Sequence, residues 1–102
     1  MDPANRFLDQ LPTKARNKAY LNMKSASIHM NSNLFKKVLF DLWEFRVQYY
    51  GNQYRLLAFW DRQPGRNTRV VVTNGFMKKT NKVPRVEIEK ALYLKTVYFN
   101  SI

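Results

Sequence analysis

Three successive segments between residues 43 and 76 have the side-chain pattern of β-strands, and this feature constrains the fold most. Residues 43–49 alternate apolar and polar side chains, which is typical of a strand with one buried face. Gly51-Asn52 predicts a tight hairpin turn after that strand. Residues 54–61 are almost entirely apolar and predict a central strand covered on both sides. A turn at Pro64-Gly65 then leads into a valine-rich strand at 68–76, so the connections favour an antiparallel sheet.

Two helices are predicted before these strands, at residues 2–10 and from residue 13 to about residue 29. Asp2 is expected to cap the first helix, with Pro3 at its first helical position. Leu11-Pro12 separates the two helices. The second helix has a slim apolar stripe at helical spacing, formed by Ala15, Ala19, Met23, Ala26 and Met30.

The rest of the chain supplies a short first strand and a terminal helix. A loop is expected at residues 31–35, a strand at 36–40, and a helix that opens at Pro84. The predicted fold is α+β, with an N-terminal helical hairpin, a three- to four-stranded antiparallel sheet and a C-terminal helix. The length of 102 residues suits one domain over residues 1–102.

Positive charge is concentrated in the second half of the chain, where Asp61 is the only acid between Arg46 and Arg85. That stretch holds half of the 18 basic residues: Arg46, Arg55, Arg62, Arg66, Arg69, Lys78, Lys79, Lys82 and Arg85. The formal net charge of +11 predicts attraction to nucleic acid, although an acidic protein partner would satisfy it equally well.

Several classes of chemistry are disfavoured by composition. The chain has no cysteine, which excludes disulfides, thiol catalysis and cysteine-based zinc sites. His29 is the only histidine and is expected to be a surface or capping residue rather than a base. The seven acids show no ligand spacing, so no metal or cofactor is predicted. No apolar run reaches membrane-spanning length and the N-terminus lacks a signal-peptide core, so a cytoplasmic protein without a membrane partner is expected.

Two arginines on neighbouring strands form the first candidate site. A turn at Gly51-Asn52 sets Gln48 opposite Arg55 and places Arg46 diagonally from Arg55 on the same face. Two guanidinium groups held on a sheet can clamp a phosphate by bidentate contacts. The alternative is that both are solvated surface arginines, or that they are ion-pair partners of Glu44.

A second candidate site follows the last strand, in residues 75–80. It combines a glycine that allows close backbone approach, a Phe ring that can stack on a base, and two ammonium groups. The alternative is a core Phe76 followed by a solvated basic loop. The predicted nucleic-acid-binding residues are Phe76, Lys78, Lys79, Lys82 and Arg85.

Four segments, in this order, resemble the RelE/ParE superfamily and, within it, the phage-derived HigB-like toxin branch. They are residues 42–47 (LWEFRV), 54–59 (YRLLAF), 74–80 (NGFMKKT), and Pro84 with 87–91 (EIEKA). Residues 7–12 (FLDQLP) also resemble the N-terminal helical hairpin of that branch, so the resemblance covers essentially the whole chain.

The resemblance implies the toxin of a type II toxin–antitoxin system, with a RelE-like fold and ribosome-dependent cleavage of mRNA. It implies an antitoxin partner, usually a helix-turn-helix protein. Two alternatives are a ParE-like poison of a topoisomerase and a nucleic-acid-binding member without catalytic activity.

The resemblance also assigns roles to particular residues. Arg46 and Arg55 match basic strand positions that line the active cleft, and Lys78 and Lys79 match a basic loop after the last strand. Glu44 matches a characteristic position of the branch and is a candidate base, or a salt-bridge partner of an arginine. Some related enzymes place a Tyr or His soon after the last strand; this chain has neither between residues 76 and 92, which leaves the acid/base group open.

Overall fold

A computed structural model describes residues 1–29, 34–65, 67–79 and 81–101 of the chain, with residues 26–29 described by their backbone alone. Its elements are α1 (Asp2–Gln10), α2 (Thr13–His29), β1 (Phe35–Leu39), β2 (Leu42–Tyr49), β3 (Asn52–Asp61), β4 (Arg69–Met77) and α3 (Arg85–Asn100). The α+β class predicted from the sequence is confirmed. Some predictions concern residues outside the described side chains: Ala26, His29, Met30, Arg66, Thr80 and most of the loop predicted at 31–35.

The four strands form one antiparallel sheet in the order β1-β2-β3-β4. Leu56, Leu57 and Phe59 of β3 have no exposed surface, which confirms the prediction of a strand covered on both sides. Helices α1 and α2 pack on one face, where Phe45, Leu56 and Ala58 form the larger core cluster. Helix α3 packs on the other face, where Ala91 meets Leu57. The sheet therefore has an apolar core on each of its two faces.

The sheet begins one residue earlier than predicted, because β1 spans Phe35–Leu39 rather than 36–40. Phe40 instead takes a positive φ of 51° between β1 and β2, and Leu39 pairs with Leu42. In the described part of the chain, no helix is long and apolar enough to cross a membrane.

The start of α1 differs from the prediction by one residue. Met1 rather than Asp2 is the N-cap, and its carbonyl accepts the backbone N–H of Asn5 at 3.0 Å. The amino terminus of Met1 also donates a hydrogen bond to the carbonyl of Val72 at 2.9 Å. Because Met1 is anchored on β4, Asp2 lies in the first turn, where its charge suits the helix dipole.

The turn between β2 and β3 also lies one residue earlier than predicted. Tyr50 and Gly51 have φ values of 49° and 76°, so these two residues, rather than Gly51-Asn52, form the turn. Tyr49 and Asn52 close the hairpin as a pair. This moves the strand register by two residues from the prediction, and the even shift leaves each side chain on its predicted face.

Strand β4 spans Arg69–Met77 rather than the predicted 68–76, and Gly75 lies within it. A Cβ atom added at Gly75 would clash with the ring of Phe7 from α1. The glycine therefore lets a helix side chain approach the strand closely, on the face opposite α3. This packing, rather than the approach of a ligand, accounts for the absence of a side chain at this position.

Candidate functional site

Arg46 and Arg55 lie directly opposite each other on β2 and β3, not diagonally as predicted. Both point to the α3 face, since their strand neighbours Phe45, Val47 and Tyr54 belong to the core on the other face. Like charges placed directly across a sheet repel each other. A compensating negative charge is therefore required nearby.

Glu44 provides that charge. Its Oε1 atom accepts a hydrogen bond from Nε of Arg46 at 3.0 Å and lies 3.8 Å from Nε of Arg55. Only 4% of Glu44 is exposed, so water screens these interactions weakly. The structure thus shows Glu44 in the alternative role, as an ion-pair partner of the arginines. One carboxylate neutralises charge on both guanidinium groups.

Arg55 is built into the protein, whereas Arg46 reaches solvent. Nη1 of Arg55 donates to the carbonyl of Tyr54 at 3.0 Å, and Nη2 donates to Oε1 of Gln53 at 2.8 Å. The Arg55 side chain is 7% exposed, against 32% for Arg46. Burial lowers the pKa of Arg55, Glu44 acts in the opposite direction, and Arg46 lowers that pKa further.

Gln53 is a site residue that the sequence interpretation missed. It precedes Arg55 by two residues and therefore lies on the same face of β3, which is the signal that was available. Its amide oxygen fixes one terminal nitrogen of Arg55, while Gln48 lies opposite it on β2. Gln53 thus orients the buried guanidinium together with the carbonyl of Tyr54.

Two polar atoms in this cluster remain unused. Oε2 of Glu44 and Nε of Arg55 are buried without a hydrogen-bond partner in the described part of the chain. An unsatisfied buried donor and acceptor cost free energy, so their presence calls for an explanation such as a catalytic role or a bound water or ion. The cluster therefore retains both a donor and an acceptor.

The cleft beside the arginine pair is bounded by the sheet on one side and by helix α2, along the edge of β2, on the other. Nζ of Lys18 donates to the carbonyl of Gln48 at 2.5 Å, and Nδ2 of Asn22 donates to the carbonyl of Arg46 at 3.2 Å. These bonds satisfy carbonyls at the part of β2 that β1 leaves unpaired. The resulting open cleft of about 430 Å³ is lined by Lys18, Asn22, Leu34, Arg46, Val47, Gln48, Gln53 and Arg55.

The basic loop after β4 lies at the same end of the sheet as the arginine pair. The backbone N–H of Lys78 donates to the carbonyl of Gln53 at 2.7 Å. Lys78 and Lys79 line a shallow groove together with Gly51 of the hairpin turn. The two lysines and the two arginines therefore border one region of the surface.

The remaining predicted nucleic-acid contacts are arranged differently. A stacking role for Phe76 requires an exposed ring, but only 8% of Phe76 is exposed and it packs with Leu42, Leu57 and Ala91. Lys82 is exposed just before α3. Arg85 begins α3, and its Nε donates to Oε1 of Glu89 at 3.0 Å.

Tyr98, which lies near the end of the chain, does not supply an acid/base group beside the arginine pair. The hydroxyl of Tyr98 donates to Oδ2 of Asp61 at 2.5 Å. Asp61 ends β3 six residues beyond Arg55, which corresponds to about 20 Å along a strand. Within the described residues, no group of three or more His, Asp or Glu side chains could hold a metal ion.

A known protein family matches most of the chain. The family model described as phage derived protein Gp49-like (DUF891) matches residues 6–96. No curated protein and no solved structure matches the chain. The matched range includes both arginines, Glu44 and the basic loop.

Proposed function

This chain belongs to the phage-derived Gp49-like family, and we propose that it is the toxin of a type II toxin–antitoxin system. Its proposed activity is ribosome-dependent cleavage of mRNA, which stops translation. The proposed partners are the translating ribosome with its message and a cognate antitoxin of the helix-turn-helix type. Because the proposed substrate is mRNA on translating ribosomes, the proposed location is the cytoplasm.

The observation that carries this proposal is the arginine pair held by one buried carboxylate. Arg46 and Arg55 point to the same face, and Glu44 lies within 4 Å of both. Guanidinium groups preorganised in a poorly hydrated site stabilise charge that develops on a phosphate. Their fixed geometry is an advantage in catalysis, because little reorganisation is needed when the charge appears.

The proposed reaction needs no nucleophile from the protein. The 2′-oxygen of the RNA attacks the adjacent phosphorus, a new 2′-O–P bond forms, and the P–O5′ bond breaks. The products are a 2′,3′-cyclic phosphate and a 5′-hydroxyl, so the proton lost from the 2′-hydroxyl is balanced by one gained at the leaving oxygen. Arg46 and Arg55 would stabilise the phosphorane, and the ribosome would align the reacting atoms.

The basic loop would hold the message on either side of the reacting phosphate. Lys78 and Lys79 border the groove beside the hairpin turn, next to the arginine cluster. Lysine ammonium groups bind backbone phosphates without reading bases. Selection of a particular cleavage position would therefore come from the ribosome and the cleft, not from these lysines.

Nucleic-acid binding without cleavage is the second candidate. The burial of Arg55, with both terminal nitrogens bonded to Tyr54 and Gln53, favours this function because it leaves Arg46 as the more accessible arginine. Binding of a polyanion requires only accessible cations. Cleavage requires Arg55 to contact the phosphate as well, through Nε or by exchanging the bond to Gln53.

Primer-extension mapping of a message in a purified translation reaction tests the proposal. Added protein should produce new 5′ ends that require ribosomes, and Arg46→Ala should remove them. Intact message together with RNA binding would support the non-catalytic function instead. Intact message with accumulated gyrase–DNA cleavage complexes would point to topoisomerase poisoning.

A further inference from the structure

Helix α3 has a second apolar face that no described element covers. Val86 and Tyr93 are each 67% exposed, and Val97 is 42% exposed. Their spacings of seven and four residues place them on one line along the helix. The line extends for about 16 Å, or three turns. The opposite face of α3 carries Ala91 into the core, so the helix is apolar on two sides.

The composition of this line is unusual for a solvated helix face. Valine is a weaker helix former than the lysine or glutamate that commonly occupies exposed positions. An exposed tyrosine ring adds apolar area that is well suited to burial in an interface. The line of Val86, Tyr93 and Val97, here called the α3 stripe, is therefore better explained by binding than by helix stability.

The charges around the α3 stripe indicate the chemistry of its partner. Lys90 lies four residues after Val86 and three before Tyr93, and it makes no ion pair within the described residues. Arg85 is 92% exposed, and within the described residues it pairs with Glu89, which lies three residues after Val86 on the other side of the stripe. The net charge of +11 opposes the approach of a second copy of this chain.

We propose that the α3 stripe docks an amphipathic helix of a partner protein, with an apolar line facing the stripe and acidic residues at its flanks. A helix in such a position buries its apolar side against Tyr93 and the two valines, and its carboxylates meet Lys90, which lies beside the stripe without an ion-pair partner among the described residues. The proposal is independent of RNA cleavage, because none of these residues belongs to the arginine cluster.

Three designed helical peptides of equal length serve as probes. The first has an apolar line with glutamate flanks, the second replaces the flanks by lysine, and the third replaces the apolar line by serine. Titration calorimetry should show binding of the first peptide, with affinity at least about tenfold above that of the other two. Tyr93→Ala with Val97→Ala should reduce that affinity by about tenfold or more.

A matched variant on α2 gives the control. Tyr20 and Leu21 are 50% and 67% exposed, and changing both to Ala should leave the affinity unchanged. Circular dichroism would verify that both variants stay folded. Equal loss in the control, binding that does not depend on the apolar line, or no binding at all overturns the proposal. So does a concentration-dependent dimer in sedimentation that Tyr93→Ala dissociates, because a second copy would then cover the stripe.

Discussion

Arg46 of β2 and Arg55 of β3 are direct cross-strand partners, and the carboxylate of Glu44 lies within 4 Å of both. The two arginines differ in access, since 32% of the Arg46 side chain is exposed but only 7% of the Arg55 side chain. Arg46 is therefore the residue whose replacement tests function with the least effect on folding. Replacement of Arg55 would also remove buried packing and the bond to Gln53.

The first prediction concerns Arg46→Ala. Removal of one preorganised donor should lower message cleavage by about 100-fold or more. Arg16→Ala is the matched control, because Arg16 is 31% exposed and also has an acidic neighbour, Asp9, but lies outside the site. Cleavage rates on programmed ribosomes would be compared at equal protein stability. Full activity of folded Arg46→Ala protein would refute the cleft assignment.

The second prediction compares two glutamates that each accept a hydrogen bond from an arginine Nε at 3.0 Å. Glu44→Gln removes a buried negative charge between two arginines and should lower the free energy of unfolding by about 2 kcal/mol. Glu89→Gln removes an exposed i,i+4 pair and should cost less than about 0.5 kcal/mol. Urea unfolding would measure both values. Equal losses of unfolding free energy in the two variants would show that the buried charge of Glu44 stabilises the fold no more than the exposed charge of Glu89.

Much of the fold could be predicted from the sequence, because strand alternation and helical spacing are local properties. The register of β2 and β3 could not, because it depends on which two residues adopt positive φ. Tyrosine rarely adopts that conformation, so Tyr50 gave no signal that the turn starts there. Arg46 and Arg55 nevertheless lie on the same face of the sheet, as predicted, because a register shift of an even number of residues leaves each side chain on its original face.

The internal arrangement of the site was less accessible to sequence reasoning. Burial of Arg55 depends on contacts with its own strand and with Glu44, and burial of Phe76 depends on α3 packing beside it. The contacts of Phe76 join segments that are far apart in sequence, and the contact of Arg55 with Glu44 depends on how β2 and β3 pair. Residue type alone could not distinguish a stacking ring from a core ring at position 76.

The third prediction concerns Gly75→Ala. The added Cβ clashes with the ring of Phe7, so the free energy of unfolding should fall by about 1–3 kcal/mol. Phe7→Leu should reduce this cost in the double variant, because the smaller side chain leaves room for the methyl group. A double-mutant cycle measured by urea unfolding checks the coupling. Additive effects would mean that Phe7 is not the residue that requires glycine here.

The fourth prediction concerns how the stability of the fold changes at acidic pH. The hydrogen bond from Lys95 lowers the pKa of Asp41 below its usual value of 3.8. The pair therefore contributes stability that is present above pH 3.8 and is lost as the pH falls through the lowered pKa. Lys95→Met should move the Asp41 pKa back up towards 3.8, as followed by carboxyl NMR. An unchanged titration curve in the variant would exclude Lys95 as the cause.

The last prediction concerns the basic loop. Lys78→Ala with Lys79→Ala should weaken binding of single-stranded RNA to a similar extent for every sequence, because ammonium groups contact phosphates and not base edges. If each of the two lysines neutralises one phosphate, the slope of log K against log salt should become shallower by about 1.4.

Lys36→Ala with Lys37→Ala is the control, since both residues are exposed on β1 and line neither the arginine cleft nor the loop groove. The slope would be obtained from fluorescence anisotropy at several salt concentrations. An equal change in both variants would mean that RNA responds to the overall charge of the protein and not to a defined surface. A change confined to the loop variant would place the RNA backbone beside the arginine pair, where the proposed reaction requires it.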